Sequence, residues 1–361
     1  MPPIKGRGAP TNHTPARFNL PTREADLDWL DDAATIDGPP PKTRTTVAVE
    51  HPRTILSRNQ SPDIPFDRSI NAYRGCEHGC IYCFARPSHA YHDLSPGLDF
   101  ETKLFAKPDA AKLLRNELAK PSYRPAPIAM GTNTDPYQPI EATYRITRSI
   151  LEVCLETRHP VTITTKSDRI LADLDLLTDL ARQNLIAVMI SITSLDPHLS
   201  RLLEPRAAAP AKRLAAVARL TAAGIPTHIN VAPIIPALTD DVIERILAES
   251  AAAGAHGAGW ILLRLPHEVA PLFRAWLAEH FPDRADKVMN IVREMRAHSL
   301  HGPRDNDPNF HTRMRPTGIW ADLIRTRFNK AALRLGLKRE MAALDCTAFV
   351  KPGKHGQMSL F

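Results

Sequence analysis

Apolar and polar positions fall into three regimes along the 361 residues. Through residue 65, Pro, Thr and charged groups mix without a sustained apolar period, the pattern of an extended arm over a surface or a partly disordered lead-in. From about 68 to 265, β-rich runs alternate with helical periodicity. The runs are "PIAMGT" (127–132), "PVTITT" (160–165), "LIAVMISIT" (185–193), "PTHINVAPII" (226–235) and "GWILLRL" (259–265), and the periodic stretches lie near 108–120, 143–157, 169–183, 209–223 and 239–252. Strands covered on both faces by crossover helices make a parallel sheet, and six such units predict an α/β fold, a partial (βα)6 barrel of the TIM type. After 266 the period is helical, near 267–280, 284–298 and 318–335. The expected organisation is an arm over 1–65, a barrel over 66–266, a helical basic extension over 267–345 and a mobile tail over 346–361.

No run of eighteen apolar residues occurs, and the first residues carry charges and prolines where a signal peptide would be apolar. No membrane partner is expected, and the cytoplasm is the expected location, where clustered thiols serve metals or redox chemistry rather than disulfides. The net charge of +7 is unevenly placed: residues 301–361 hold 11 Lys and Arg against five Asp and Glu. A solvated helix face is the ordinary reading of such a run, and a polyanion site the sharper one.

Three of the five cysteines, Cys76, Cys80 and Cys83, lie within eight residues in "CEHGCIYC". A structural zinc site wants four ligands, usually as two separated pairs; His78, His89 or His92 would have to complete this one, at a spacing unlike the common fingers. An all-cysteine [4Fe–4S] carrier wants a fourth thiolate. Cys154 falls in an apolar helical stretch, where a buried structural thiol is expected, and Cys346 is remote. A cubane held by three thiolates leaves one iron open to another ligand.

CxxxCxxC with an aromatic before the last cysteine resembles the signature of the radical S-adenosylmethionine (AdoMet) enzymes. The resemblance runs over about 68–240 and is closest to the spore photolyase branch. It implies a [4Fe–4S] cluster on Cys76, Cys80 and Cys83 and AdoMet on its open iron. It also implies Tyr82 against the adenine and a deoxyadenosyl radical that abstracts hydrogen from a substrate, with flavodoxin or ferredoxin as electron donor. "TITTKSD" carries a carboxylate-binding lysine onto Lys166, "VMISIT" a ribose-contacting serine onto Ser191, and "GTNTDPYQPIE" amino-group contacts onto Thr134 and Asp135. "EPRAAAPAKR" offers Glu204 and Arg213 as an inner polar pair. The resemblance breaks where that branch has a hydrogen-donating thiol and a tyrosine after the third cysteine, since Thr132 and Phe84 stand there. Cys346 is the candidate replacement thiol, if its segment folds over the barrel mouth.

The final residues "QMSLF" resemble the peptide by which bacterial repair proteins dock on the DNA sliding clamp, with Gln357, Leu360 and Phe361 as anchors. DNA is then the expected partner, gripped by Arg304, Arg313, Arg315, Arg325 and Arg327, with Phe310, His311 and Trp320 near to stack on an extruded base. Two other readings stand beside it: radical chemistry on tRNA, a protein or a metabolite, and a non-catalytic redox sensor.

Overall fold

The computed structural model describes residues 6–9, 11–12, 44–297 and 304–353. Its strands are β1 Thr46–Val49, β2 Leu56–Arg58, β3 Arg68–Ile70, β4 Tyr73–Arg74, β5 Lys103–Ala106, β6 Ile128–Met130, β7 Val161–Thr165, β8 Ile186–Ser191, β9 Thr227–Ile234 and β10 Gly257–Leu262. The main sheet has the order β10-β9-β8-β7-β6-β3-β2. Its six strands from β3 to β10 are mutually parallel, and only β2 runs antiparallel. Helices Ala110–Leu118, Ile146–Glu156, Leu174–Arg182, Pro210–Ala222 and Ile243–Ala252 make the crossovers. This is the expected partial parallel barrel.

Local sequence accounts for the elements. All eight positions of β9 are buried, because one face fills the barrel and the other lies under helices. Helix Leu174–Arg182 turns Leu176, Leu177 and Leu180 inward and leaves Asp175, Asp179 and Arg182 in solvent. Pro210 occupies the first turn of its helix, where an amide would lack a partner anyway. Residues 44–65, read from sequence as part of an arm, contribute two strands. β1 pairs with β5, which also pairs with β4, and β2 pairs with β3. Strands of three or four residues are too short for a period to show.

Strands β2 and β10 each have one neighbour, so the barrel is open between them. Side chains of the 304–315 segment bridge the seam. Arg313 forms a two-point ion pair with Asp63, which follows β2, at 2.5 and 2.8 Å. On the other side, Arg264, which follows β10, donates to Met314 Sδ at 3.5 Å, and Arg296 donates to the Arg313 carbonyl. Helices Val269–His280 and Pro282–Met295 place Phe273, Trp276, Leu277 and Val288 in one apolar cluster with Cys80, Ile81 and Tyr82. The helical extension thus shares one apolar core with the cysteine loop.

Residues 343–351 cross the opposite end of the barrel. Ala343 and Asp345 bond Asn184, Val350 N–H donates to Thr157 at 2.8 Å, and Lys351 Nζ donates to Pro121 at 3.1 Å. These partners precede β8, β7 and β6. The segment is therefore pinned at the N-terminal edges of the strands, which places Cys346 away from the mouth and removes it as a hydrogen-donating thiol.

Phe349 of that segment packs on Tyr123 and His159. His159 has a set tautomer. The Pro160 carbonyl can only accept, so Nδ1 carries the proton at 3.0 Å from it, and Nε2 accepts from Tyr123 Oη at 2.7 Å. Burial lowers His159 to about 4, so folding favours its neutral form. The resulting stability is complete above the free value of about 6.5 and is lost as pH falls toward 4, by on the order of 2–3 kcal/mol. We expect the Tm of His159→Leu to fall less than that of the parent between pH 7 and 4, and equal slopes would contradict a buried neutral histidine.

Candidate active site at the barrel mouth

The cysteine loop follows β3 at the C-terminal end of the sheet, the end where barrels of this type carry chemistry. Its shape is imposed by groups distant in sequence. Arg86 is fully buried and uses all five donors: Nε to Cys80 O, one amino group to Pro96 O and Gly97 O, the other to Gly79 O and Glu101 Oε1. Gln138, after β6, accepts from Glu77 N–H and donates to the Gly75 carbonyl. Ile81 N–H donates to Leu203 O, and Arg206 N–H to His78 O. Gly79 has φ +67°, and a Cβ there would lie 2.8 Å from the Glu101 carboxylate.

The N-terminal residues join this frame. Gly8 and Ala9 donate their amides to the two oxygens of Glu101 at 3.0 and 2.8 Å, and Arg7 donates to the Glu101 carbonyl. A Cβ on Gly8 would stand 1.8 Å from Gly79 O. Arg7, Gly8, Arg86, Glu101 and Gln138 were all missed from sequence. A buried charge in "FARPSHA" and the glycine in "GRGAP" are the only traces they leave.

Cys76, Cys80 and Cys83 are free thiols, the first two buried. Burial pushes all three upward, Cys80 to about 12; Asp135 and the other two thiols add to it at Cys76, and Glu204 and Cys83 at Cys80. Lys166 acts the other way on Cys80 and Cys83. The backbone amide of Asp135 favours the thiolate of Cys76, and those of Ala85 and Arg86 favour that of Cys83. Three clustered thiols, two of them buried and two with nearby amides that favour the thiolate, fit a metal cluster, which holds them as thiolates where burial alone would keep the protons on. Among the described residues no three Cys, His, Asp or Glu side chains converge on a single ion. A cubane makes no such demand, because each thiolate takes a different iron.

The strand ends deliver the remaining candidates. Lys166 directly follows β7, half-buried, with Nζ 5.8 Å from the centre of the Tyr82 ring. Ser191 ends β8, buried, and its carbonyl accepts from Arg213 at 3.0 Å. Glu204 and Arg213 form a buried ion pair, and Glu204 also accepts from Tyr82 Oη and from Thr193 Oγ1. Burial alone would raise Glu204, but Arg213 and Lys166 bring it down to about 2. Tyr82 is held well above the ordinary phenol range, by burial first and by Glu204, so it is a donor here.

Thr134 is buried and donates to Tyr73 O. Asp135 takes Thr165 Oγ1 and Tyr137 N–H on one oxygen, and Lys166 N–H and His78 on the other. Burial would raise its carboxyl, but His78 and these bonds lower it to about 2. Asp135 therefore ties the β6 turn to the end of β7 and to the cysteine loop, and both its oxygens are occupied.

The arginines read as a DNA grip are mostly spent internally. Arg327 forms a two-point pair with Glu244, Arg325 pairs with Asp322, and Arg313 with Asp63. Arg315 is exposed, and Arg304 lies in the same segment. Gln357, Leu360 and Phe361 fall outside the described residues. No helix among the described residues is long and apolar enough to cross a membrane.

A parallel half-barrel with a three-cysteine loop at its C-terminal mouth is the architecture of the radical AdoMet enzymes. A family model described as "Radical SAM superfamily" matches residues 70–249, and the chain belongs to that superfamily. It is an enzyme of radical chemistry whose cofactors are a [4Fe–4S] cluster and AdoMet. An uncharacterized protein of Mycobacterium tuberculosis is 39% identical over 232 residues, covering 64% of this chain and 68% of its own. One of Methanocaldococcus jannaschii is 28% identical over 222 residues, covering 61% and 79%. Among solved structures, a spore photoproduct lyase variant superposes with a TM-score of 0.56 at 16% identity, over 89% of this chain and 86% of its own. A second variant gives 0.52 at 15%, over 88% and 83%. At that identity the likeness is one of fold.

Because Gly8 touches the backbone of the cysteine loop, Gly8→Val must displace either the N-terminal segment or Gly79. We expect the variant, reconstituted anaerobically, to retain less iron and to bleach several-fold faster in air than the parent. Unchanged iron content and bleaching would show that the contact does not support the loop.

Proposed function

We propose that this enzyme directs radical AdoMet chemistry at DNA, in the repair or tolerance of lesions. The observation that carries the reading is the convergence of Lys166, Tyr82 and the Glu204–Arg213 pair beside Cys80 at one end of a barrel whose fold matches spore photoproduct lyase. Cys76, Cys80 and Cys83 hold the cluster. When bound, the cluster and AdoMet together supply a primary carbon radical able to abstract hydrogen.

The chain's own residues bind and orient. The Lys166 ammonium meets the AdoMet carboxylate, Thr134 contacts the amino group, Ser191 the ribose and Tyr82 the adenine. Asp135 positions Lys166 by accepting its backbone amide. Glu204 and Arg213 fix the Tyr82 hydroxyl and the end of β8 and keep water out of that wall. Thr132 donates to Asn71 Oδ1, and its hydroxyl cannot pass on a hydrogen atom as a thiol does, so this reading does not include the thiol relay. Flavodoxin or ferredoxin is the proposed electron source, and the 357–361 segment the proposed tether to the sliding clamp.

Anaerobically reduced protein incubated with AdoMet is expected to release 5′-deoxyadenosine. Lys166→Ala is expected to weaken AdoMet binding at least about tenfold, as loss of one charged hydrogen bond implies. A binding constant that Lys166→Ala leaves unchanged would remove that assignment.

For the substrate, DNA oligonucleotides carrying defined lesions and deuterium at candidate positions are expected to transfer the label into 5′-deoxyadenosine. Transfer from a tRNA or a peptide instead would replace the DNA reading. Deletion of 357–361 is expected to abolish capture by purified clamp, and unchanged capture would reject the tether.

A further inference from the structure

The mouth carries a feature that the radical chemistry does not use. Phe84 follows the third cluster cysteine, yet it is 49% exposed, and Phe310 of the seam segment is 48% exposed. A large apolar ring beside a reactive centre would ordinarily be buried. Each ring has a guanidinium over it: Arg264 lies 6.0 Å from the centre of Phe84, and Arg313 lies 4.4 Å from that of Phe310. The two arginines are neighbours, joined by the contact of Arg264 with Met314 and close enough to repel.

They differ in what they have left to give. Arg313 is committed to Asp63 through two bonds. The Arg264 Nε is buried without a hydrogen-bond partner among the described residues, and Nη1 donates to a thioether, a weak acceptor. Arg296 stands nearby with an equally unmatched Nε, but its amino groups rest on three carbonyls. Locally, Arg264, Arg296 and Arg313 face Asp63 and Asp307, which leaves one positive charge in excess, and Arg264 carries the guanidinium least satisfied by hydrogen bonds.

We infer that Phe84, Arg264 and Phe310 form a platform for single-stranded nucleic acid, stacking successive bases on the two rings and holding the intervening phosphate on Arg264. A ring backed by a guanidinium offers its other face to a base, and every base has a face to offer. The phosphate supplies the strong acceptors that Arg264 lacks. A base held on Phe84 lies next to the cluster loop, so the platform presents an unstacked nucleotide to the centre rather than an intact duplex. The inference rests on the nucleic-acid reading above.

The test is fluorescence anisotropy of the anaerobically purified full chain with labelled dT10 and with a labelled ten-base-pair duplex. The single strand is expected to bind more tightly. Phe84→Ala and Phe310→Ala should each weaken dT10 binding roughly tenfold, and Leu333→Ala, 83% exposed on helix Ile319–Arg334, should not. Arg264→Met should weaken binding and flatten its dependence on log salt by about 0.7, the share of one phosphate. Phe310→Trp guards against a folding artefact, because the indole should keep affinity and be quenched as dT10 binds. Binding of dT10 that neither alanine variant weakens, or a Phe310→Trp indole left unquenched by bound dT10, would overturn the platform and leave the nucleic-acid reading standing. If the parent binds neither oligonucleotide, both fall.

Discussion

The cysteine loop depends on one buried charge pair. Arg86 and Glu101 are both sealed from solvent, an arrangement that costs several kcal/mol per ion unless every lone pair and proton is matched. Here they are matched. The guanidinium gathers four carbonyls, two of them from the loop itself, and the carboxylate gathers two amides from the chain's beginning. Removing either partner leaves the other charged and dry, at a cost of about 3–5 kcal/mol. Three thiols that must present sulfur in one direction need such a frame, because a glycine-containing turn has no stiffness of its own.

Much of the scaffold was legible in the sequence because its elements are long and periodic. β7 to β10 and the helices between them follow from apolar runs alternating with a 3.6-residue period. The three cysteines were legible from spacing alone. What stayed hidden is long-range: Glu101 meets Gly8 across 93 positions, and nothing local in "DFET" marks its carboxylate as the anchor of a loop. Cys346 shows the converse. The sequence offers it as a thiol only if its segment reaches the mouth, and the backbone bonds of its neighbours to Asn184 and Thr157 place it at the other end.

Charge shows the same limit. The excess of Lys and Arg in the last sixth of the chain is real, but composition counts charges without saying which are engaged. Arg327 fastens the last long helix to Glu244, and Arg325 caps its own helix start at Asp322 and Pro316. Such pairs position elements and leave little field for a ligand. Arg264, in a strand-end segment whose composition gives no hint of a basic patch, is a guanidinium with a buried, unmatched Nε, as is Arg296, and Arg264 alone of the two lacks carbonyl acceptors on its amino groups among the described residues.

The seam between β2 and β10 bears on how firmly the barrel is shut. A continuous hydrogen-bonded ladder parts only by melting several backbone pairs together, whereas this edge is spanned by side chains, chiefly the clasp of Arg313 on Asp63. Undoing that clasp unfolds no strand. The barrel is therefore closed here by side chains rather than by a backbone ladder, and a single substitution at Arg313 or Asp63 can loosen this wall without breaking a strand pair.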